Sequence, residues 1–391
     1  MKKNIIILGS TGSIGSQTLS LINKKKKFFK VRLLSTNKNL SKLMQQSKNF
    51  KVKNLIIRDY KTFLIAKKKY NDQKINFFNS FNIIEKLFKK KEIDYSMISI
   101  VGLDGLKPSI KMVRFSKNIA IVNKESIICG WNLIKKELIK FKTNFIPIDS
   151  EHFSIYSLLN NNNFSNNKTI DKVYLTASGG PFLNRPLKSL KSVKKKDALK
   201  HPNWNMGNKI TIDSSTMMNK VFEVIEAKKI FDLNYKDIII LTHPKSYLHA
   251  IIKFKNALIK LLIHEPDMKI PIYNSLFDEN NSKFKSKDLD LKNLNNLNLK
   301  KIDVKKFPLV KLLGRLNSQD TLYETVLVTI NDYFVMKFLN NEIKYDHMIK
   351  SIYKYSNSKI FLKYGKIIPK NVEDIYKLKN YVSFKLSTLG V

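Results

Sequence analysis

Near its start the chain carries an unbroken apolar run, Ile5-Ile6-Ile7-Leu8. It gives way to Gly9-Ser10-Thr11-Gly12-Ser13-Ile14-Gly15 and then to apolar positions at helical spacing through Leu19 and Ile22. Such a run marks a strand buried on both faces of a parallel sheet. A tight glycine turn that opens a helix is a cradle for a dinucleotide pyrophosphate. The same change from apolar run to polar tip recurs downstream. Val31 to Leu34 leads into Ser35-Thr36-Asn37-Lys38-Asn39, Leu55-Ile56-Ile57 reads as a further strand, Met97 to Val101 leads into Gly102-Leu103-Asp104-Gly105, and Ile119 to Val122 leads into Asn123-Lys124-Glu125-Ser126. Together these strands predict a doubly wound α/β sheet, which binds ligands at the C-terminal ends of its strands. Lys124 is therefore a better site candidate than the lysines of runs 24–27 and 194–196, which read as solvated faces or loops.

Farther along, the apolar stretch Phe145 to Ile148 closes on Asp149-Ser150-Glu151-His152, and about seventy residues later comes Asn219-Lys220-Val221-Phe222-Glu223. Read as a strand end, the first segment points Asp149 and Glu151 to one side. Three carboxylates, Asp149, Glu151 and Glu223, with no sulfur beside them, suit Mg2+ or Mn2+ better than zinc. Between them lie Thr176-Ala177-Ser178-Gly179-Gly180-Pro181-Phe182, His201-Pro202-Asn203-Trp204-Asn205-Met206-Gly207 and Asp213-Ser214-Ser215-Thr216-Met217-Met218. Small hydroxyl residues, Gly and Asn bring donors close to an oxyanion, so these loops suit a phosphate, to which Lys220 adds a point charge. Met217 and Met218 on their own read as core packing.

Cofactor choice follows from the tip of the second strand. No Asp or Glu stands there to accept from a ribose 2'-hydroxyl, and Lys38 can meet a 2'-phosphate, which favours NADPH over NADH. The spacing GxxGxxG, with Thr11 at the usual second glycine, makes this motif moderately specific.

Composition changes the picture in one respect. Lys+Arg 72 against Asp+Glu 31 gives a net charge of +41, which ordinarily suggests a nucleic-acid partner. The excess is almost all lysine, since the arginines are only Arg32, Arg58, Arg114, Arg185 and Arg315. Lys, Asn, Ile, Phe and Tyr dominate together, and all have A- and T-rich codons. The charge reads as compositional drift, with long-range attraction for an anionic substrate as a side effect. No element interleaves arginine with aromatics as a dedicated nucleic-acid surface would.

A single Cys129 excludes an internal disulfide and points to a reducing compartment. The apolar run behind Lys2-Lys3 is too short for a signal peptide, and no span reaches about 18 apolar residues, so the cytoplasm is expected and a membrane is not. The expected organisation is a cofactor domain at 1–149, a catalytic domain at 150–275, a polar linker at 276–306 that includes the repetitive stretch Asn280 to Asn298, and a helical domain at 307–391. Val326, Ile330, Phe334 and Phe338 carry the helical spacing of that last part.

The motifs taken together resemble one family, 1-deoxy-D-xylulose 5-phosphate reductoisomerase of the non-mevalonate isoprenoid pathway. The matching blocks are GSTGSIG at Gly9 to Gly15, NKES at Asn123 to Ser126, DSEH at Asp149 to His152, SGGPF at Ser178 to Phe182, HPNWNMG at His201 to Gly207, DSSTMMNK at Asp213 to Lys220 with Glu223, HPKSYLH at His243 to His249, and EPDMKIPI at Glu265 to Ile272. They stand in the family's order over roughly the first 275 residues, which chance does not supply.

The resemblance implies a Rossmann-type NADPH-binding domain, an α+β catalytic domain and a C-terminal helical bundle, in an enzyme that acts as a homodimer. It implies rearrangement and NADPH-dependent reduction of 1-deoxy-D-xylulose 5-phosphate to 2-C-methyl-D-erythritol 4-phosphate, by a retro-aldol and aldol route or by an alkyl shift. Asp149, Glu151 and Glu223 take the places of metal ligands. Ser178, His201, Ser214, Asn219 and Lys220 take substrate positions, with Ser150, Glu151, Glu223 and Lys124 beside them, and Lys124, Glu151, His201 and Lys220 are the catalytic candidates. Thr11, Gly12, Ser13, Ile14, Asn37, Lys38, Asn39, Asn123, Glu125 and Gly207 match positions that hold NADPH. Trp204 looks like the aromatic of a flap that closes over substrate.

Three departures stand out. Asn37 replaces a common Gly and is tolerable because Asn visits left-handed backbone. Leu103 and Asp104 fill a segment of small residues, and Val326 to Asp332 differs from the family's Asn-Ala-Ala-Asn-Glu helix. Two other classes stay open on the residues alone. One is an NADPH-dependent, metal-assisted dehydrogenase without isomerisation, against which HPNWNMG and NKVFE argue; the other is a nucleic-acid-binding protein on a relic fold, supported only by the charge.

Overall fold

The computed structural model describes residues 2–71, 74–159, 167–204, 206–277 and 284–389. The chain divides into two compact units. The first comprises Met1–Ile127, Asn132–Asp149 and Met268–Phe284, and the second Ile128–Trp131, Ser150–Asp267 and Lys285–Val391.

The first unit is built on seven strands: β1 (Lys3–Leu8), β2 (Phe29–Thr36), β3 (Asn54–Ile57), β4 (Asn76–Phe78), β5 (Ile93–Ile98), β6 (Ser116–Ile121) and β7 (Asn144–Phe145). Their order is β4-β3-β2-β1-β5-β6-β7, and every neighbouring pair is parallel. Ile5, Ile6, Ile7 and Leu8 are all 0% exposed, the burial that the unbroken apolar run predicts. Strand order reverses between β1 and β5, which leaves a crevice at their C-terminal ends.

The glycine turn sits at that crevice for steric reasons. Gly9 has φ +82°, and a Cβ there would stand 2.5 Å from the Ser99 carbonyl oxygen. A Cβ on Gly15 would stand 2.5 Å from the Gly9 carbonyl oxygen, so the helix Ser13–Lys24 can start this close to the turn only with glycine. Side chains tie the turn to the next strand. The Gly9 N–H donates to Ser35 Oγ at 2.8 Å, and the hydroxyls of Thr11 and Thr36 are 2.7 Å apart.

Several boundaries differ from the sequence expectation. β5 begins four residues before the expected Met97 to Val101 and ends at Ile98. Its pairing with β1 stops at Leu8 and Ile98 because β1 itself ends at the glycine turn, and Val101 is 80% exposed. β6 begins at Ser116 rather than Ile119, and β2 runs on through buried Ser35 and Thr36. Asn37 keeps a negative φ, so no left-handed residue is called for after that strand. Leu103 is absorbed by burial at 3% exposure.

The second unit holds a mixed sheet of β8 (Ile170–Ala177), β9 (Ile238–Thr242), β10 (Leu248–Phe254), β11 (Ile259–Ile263) and β12 (Lys300–Lys301), ordered β11-β10-β8-β9-β12. Only β8 and β9 pair in parallel. The helix Ser150–Leu159 packs on β10 and β11. Within the stretch 276–306, residues 278–283 lie outside the described residues; the rest supplies a short helix, Leu291–Asn295, and β12.

Beyond it, helix Tyr323–Leu339 packs against Tyr345–Ser356 and Val372–Thr388. Val326, Ile330 and Phe334 are 0% exposed and Phe338 is 4%, which is the buried stripe the spacing predicts. Among the described residues no helix is long and apolar enough to cross a membrane.

Replacing Gly9 by Ala combines a strained φ with a backbone clash. We expect a loss of roughly 1–3 kcal/mol in unfolding free energy, read as a lower urea midpoint. An unchanged midpoint would show that the turn relaxes without cost.

Candidate active site

Glu151 is not on a strand. β7 ends at Phe145, and the helix Ser150–Leu159 starts directly after Asp149, which places Glu151 in its first turn. The alternation argument fails here because His152, Ile155 and Leu159 are buried at helical spacing, i, i+3 and i+7. The Ser154 hydroxyl donates to the Ser150 carbonyl at 2.7 Å, and Ser150 Oγ donates to the Glu151 carboxylate. A carboxylate in a first turn is also favoured by the helix dipole.

The second carboxylate comes from the helix Met218–Phe231, which follows Met217 at φ 64°. Asn219, Lys220 and Glu223 share one helical face at spacings of three and four. Lys220 is 4% exposed, and its ammonium donates to Glu151 at 2.6 Å, to Glu223 and to the carbonyl of Thr176 on β8. Burial works against this charge, but Glu151 and then Glu223 outweigh it and hold the ammonium above its ordinary value.

The structure therefore places Lys220 between the acids, where it offsets one of their two negative charges. Carboxylate oxygens of Glu151 and Glu223 lie within 4.8 Å of one another. Asn219 Nδ2 donates to Glu223, while its buried Oδ1 has no partner among the described residues. Two hard anionic oxygens and a buried amide oxygen suit a small divalent cation.

A second cluster forms where the SGGPF segment meets the helix Asn208–Ser215. A Cβ on Gly180, which has φ +64°, would stand 2.8 Å from the Ser214 carbonyl oxygen, so glycine permits this approach. His201 Nδ1 accepts from the backbone N–H of Asn203 (3.2 Å) and of Trp204 (2.9 Å). Two donors on Nδ1 place the proton of a neutral imidazole on Nε2, which then donates to Ser178 Oγ at 3.0 Å. Burial pushes the His201 pKa down to about 4. Ser178 Oγ also accepts from the Gly180 N–H at 3.1 Å, so its own proton points onward as a donor. The Trp204 ring meets His249 edge-on at 6.3 Å. Asn205 lies outside the described residues, and Gly207 caps the helix Asn208–Ser215 with open space at its Cβ position.

In the first unit, Thr11, Gly12, Ser13 and Ile14 form the turn and first helical turn after β1, and exposed Asn37, Lys38 and Asn39 follow β2. Asn39 caps the next helix by accepting from the Lys42 N–H at 3.1 Å. Asn123 caps the helix Lys124–Phe141: its Oδ1 accepts from the Ser126 N–H at 2.6 Å and its Nδ2 donates to the carbonyls of Ile100 and Gly102. Glu125 lies buried in the first turn of that helix, and Lys124 is ion-paired with Asp149.

Two residues take roles that the sequence did not suggest. His152 Nε2 donates to the Glu223 carbonyl at 2.9 Å and so anchors one helix on the other. Thr176 supplies the carbonyl for Lys220. A histidine next to Glu151 on an apolar face was the only signal for the first; a backbone acceptor leaves none.

Three sequence profiles match the chain: 1-deoxy-D-xylulose 5-phosphate reductoisomerase over residues 5–130, its C-terminal domain over 145–231, and the DXP reductoisomerase C-terminal domain over 263–382. A 1-deoxy-D-xylulose 5-phosphate reductoisomerase of Pelagibacter ubique (strain HTCC1062) is 55% identical over 390 residues, covering 100% of both chains. The fold matches the Zymomonas mobilis reductoisomerase solved with NADPH at TM-score 0.87 and 27% identity, covering 100% of this chain and 99% of that one. A DOX-P reductoisomerase solved with NADPH, fosmidomycin and magnesium matches at TM-score 0.88 and 29% identity, covering 99% and 98%. With its fold, its motifs and a full-length relative in agreement, the chain belongs to the 1-deoxy-D-xylulose 5-phosphate reductoisomerase family.

Proposed function

We propose that the chain converts 1-deoxy-D-xylulose 5-phosphate to 2-C-methyl-D-erythritol 4-phosphate with NADPH as reductant and a divalent cation, Mg2+ or Mn2+, as electrophile. The observation that carries this reading is the buried convergence of Glu151, Lys220, Asn219 and Glu223. Asp149 completes the ligand set, because two residues of chain keep it within reach of Glu151. When bound, the cation polarises the substrate's carbonyl and neighbouring hydroxyl and stabilises charge during the rearrangement.

The chain's own residues supply the rest. Lys220 fixes Glu151 and Glu223 in place and limits their mutual repulsion. Ser178, Ser214 and Asn219 bind and orient the sugar phosphate through short directional bonds, with Ser150 beside them. His201, neutral and Nε2-protonated, sets the direction of the Ser178 proton. Lys124 sets its own ammonium beside the Asp149 carboxylate. Remote grip on the phosphate then serves to orient the reacting end, and a Trp204 flap excludes water.

The nicotinamide cofactor takes the crevice of the first unit. Thr11, Gly12, Ser13 and Ile14 face the pyrophosphate, Asn37, Lys38 and Asn39 the 2'-phosphate, and Asn123 and Glu125 the nicotinamide half. Gly207 remains a candidate for the same cofactor on the family resemblance alone. The tight glycine turn supports this, since a Cβ at Gly9 or Gly15 would collide with backbone and force the helix start away from the end of β1. We further infer a homodimer working in a reducing cytoplasm, with no specific nucleic-acid partner; a lone buried Cys129 accords with that setting. Metal-dependent NADPH oxidation on this one sugar phosphate is the deciding assay.

Three outcomes are expected. Glu223→Gln removes one anionic oxygen and should lower turnover roughly a hundred- to a thousandfold while leaving NADPH binding by fluorescence unchanged. Near-normal turnover would take Glu223 out of the ligand set.

Lys38→Glu puts a negative charge beside a 2'-phosphate and should weaken NADPH far more than NADH. Equal losses for both cofactors would place the 2'-phosphate elsewhere.

His201 should stay neutral through pH 5 in 15N-histidine NMR spectra, with its proton on Nε2. Its folded pKa of about 4 lies below the ordinary 6.5, so this group's contribution to stability is full above 6.5 and is lost as pH falls toward 4. A titration midpoint above 6 would contradict the neutral buried ring, and a proton found on Nδ1 would contradict the tautomer assignment.

A further inference from the structure

The hairpin of β10 and β11 carries two histidines that the site above does not use. His249 and His264 stack with ring centroids 3.7 Å apart and planes 18° from parallel, and Trp204 meets the His249 ring edge-on. Backbone geometry fixes the pair: the His264 N–H donates to the Tyr247 carbonyl at 3.0 Å, and His249 Nε2 donates to the His264 carbonyl at 3.1 Å.

His264 is 9% exposed, and its Nδ1 donates to the Glu265 carbonyl at 2.6 Å. A carbonyl only accepts, so the ring proton is on Nδ1 and Nε2 carries a lone pair. That Nε2 is buried and has no partner among the described residues. Burial keeps the ring neutral by lowering its pKa, and Glu151 is near enough to act on its charge in the opposite sense. The helix bearing Glu151 packs on β10 and β11. A buried acceptor with no donor is a cost that a folded chain rarely retains without use.

We propose that His264 is a further substrate-positioning residue, its Nε2 the acceptor for a hydroxyl of the sugar phosphate. The hydroxyl hydrogen-bonds to a preformed lone pair held in place by the stack and by Glu265, so binding costs little reorganisation. This rests on the functional reading above. The sugar phosphate is rich in hydroxyl donors, and a site that leaves an acceptor unpaired discriminates against a ligand lacking the donor.

The test uses the full chain with Mg2+ and NADPH, and wild-type turnover of 1-deoxy-D-xylulose 5-phosphate is the control. An inactive wild type overturns the functional reading and is distinguishable from any result on variants. His264→Phe keeps an aromatic stack and removes the acceptor. We expect KM for the sugar phosphate to rise about tenfold, equivalent to about 1.4 kcal/mol, with KM for NADPH unchanged. His264→Gln, whose side-chain oxygen restores an acceptor, should recover most of the loss. His264→Leu carries the same expectation as Phe and replaces it if the Phe variant does not fold. A sugar-phosphate KM within about twofold of wild type in a folded Phe or Leu variant, or equal losses in Phe and Gln, overturns the proposal.

Discussion

The buried ammonium of Lys220 is the constraint on which the second unit's site depends. Taking one ammonium and two carboxylates out of water costs several kcal/mol per ion. At an effective dielectric of about 20 and a separation of about 4 Å, each opposite pair returns about 4 kcal/mol, and here one cation serves two anions. Its three protons go to Glu151, Glu223 and the Thr176 carbonyl, so no donor is wasted. Because its pKa is held above the ordinary 10.5, this stabilisation is complete below that value and is lost only as pH rises through the higher folded value. The neutral range therefore never tests it. The helices Ser150–Leu159 and Met218–Phe231 are thereby fixed to β8, with His152 adding a second tie from the first helix to the Glu223 carbonyl.

What could be read in the sequence follows from how local each signal is. The β1 run, the glycine turn and the stripe Val326, Ile330, Phe334 and Phe338 were legible because burial and sterics act there through neighbouring residues. The conformation around Glu151 was not, since Asp-Ser-Glu is compatible with a strand end, and only packing on β10 and β11 selects the helix. Lys220 reads in sequence as a free cation for phosphate. Its pairing with Glu223 is local at i,i+3, but Glu151 is sixty-nine residues away, and nothing near Lys220 announces that second partner. Strand limits erred where a strand's length is set by its neighbour, as β5 is by β1.

The net charge of +41 takes on a different meaning beside these contacts. The cations that matter chemically are few and held in place: Lys220 and Lys124 each sit on a carboxylate. Lys229 is likewise buried, paired with Asp320 and Glu324 in the second unit. By contrast, Lys26, Lys67, Lys69 and Lys140 lie over aromatic rings at 5.1–5.8 Å, where the stem covers apolar surface and the head stays wet. Such lysines add a long-range field that salt screens. They add no directional recognition, so the charge bears on encounter with an anionic substrate rather than on its selection.

Directional hydrogen bonding is offered instead by groups whose protonation the fold fixes in advance. His201 is held neutral with its proton on Nε2, because two backbone N–H groups occupy Nδ1 and burial disfavours the cation. The proton of Ser178 is consequently directed away from His201, which turns an ambivalent hydroxyl into a donor. His264 shows the converse arrangement, with Nδ1 spent on a carbonyl and Nε2 left as an acceptor. One imidazole thus makes a donor and the other presents a lone pair, and both are neutral. A ligand whose oxyanions need donors and whose hydroxyls need acceptors meets both in the same unit, without any proton having to move before it binds.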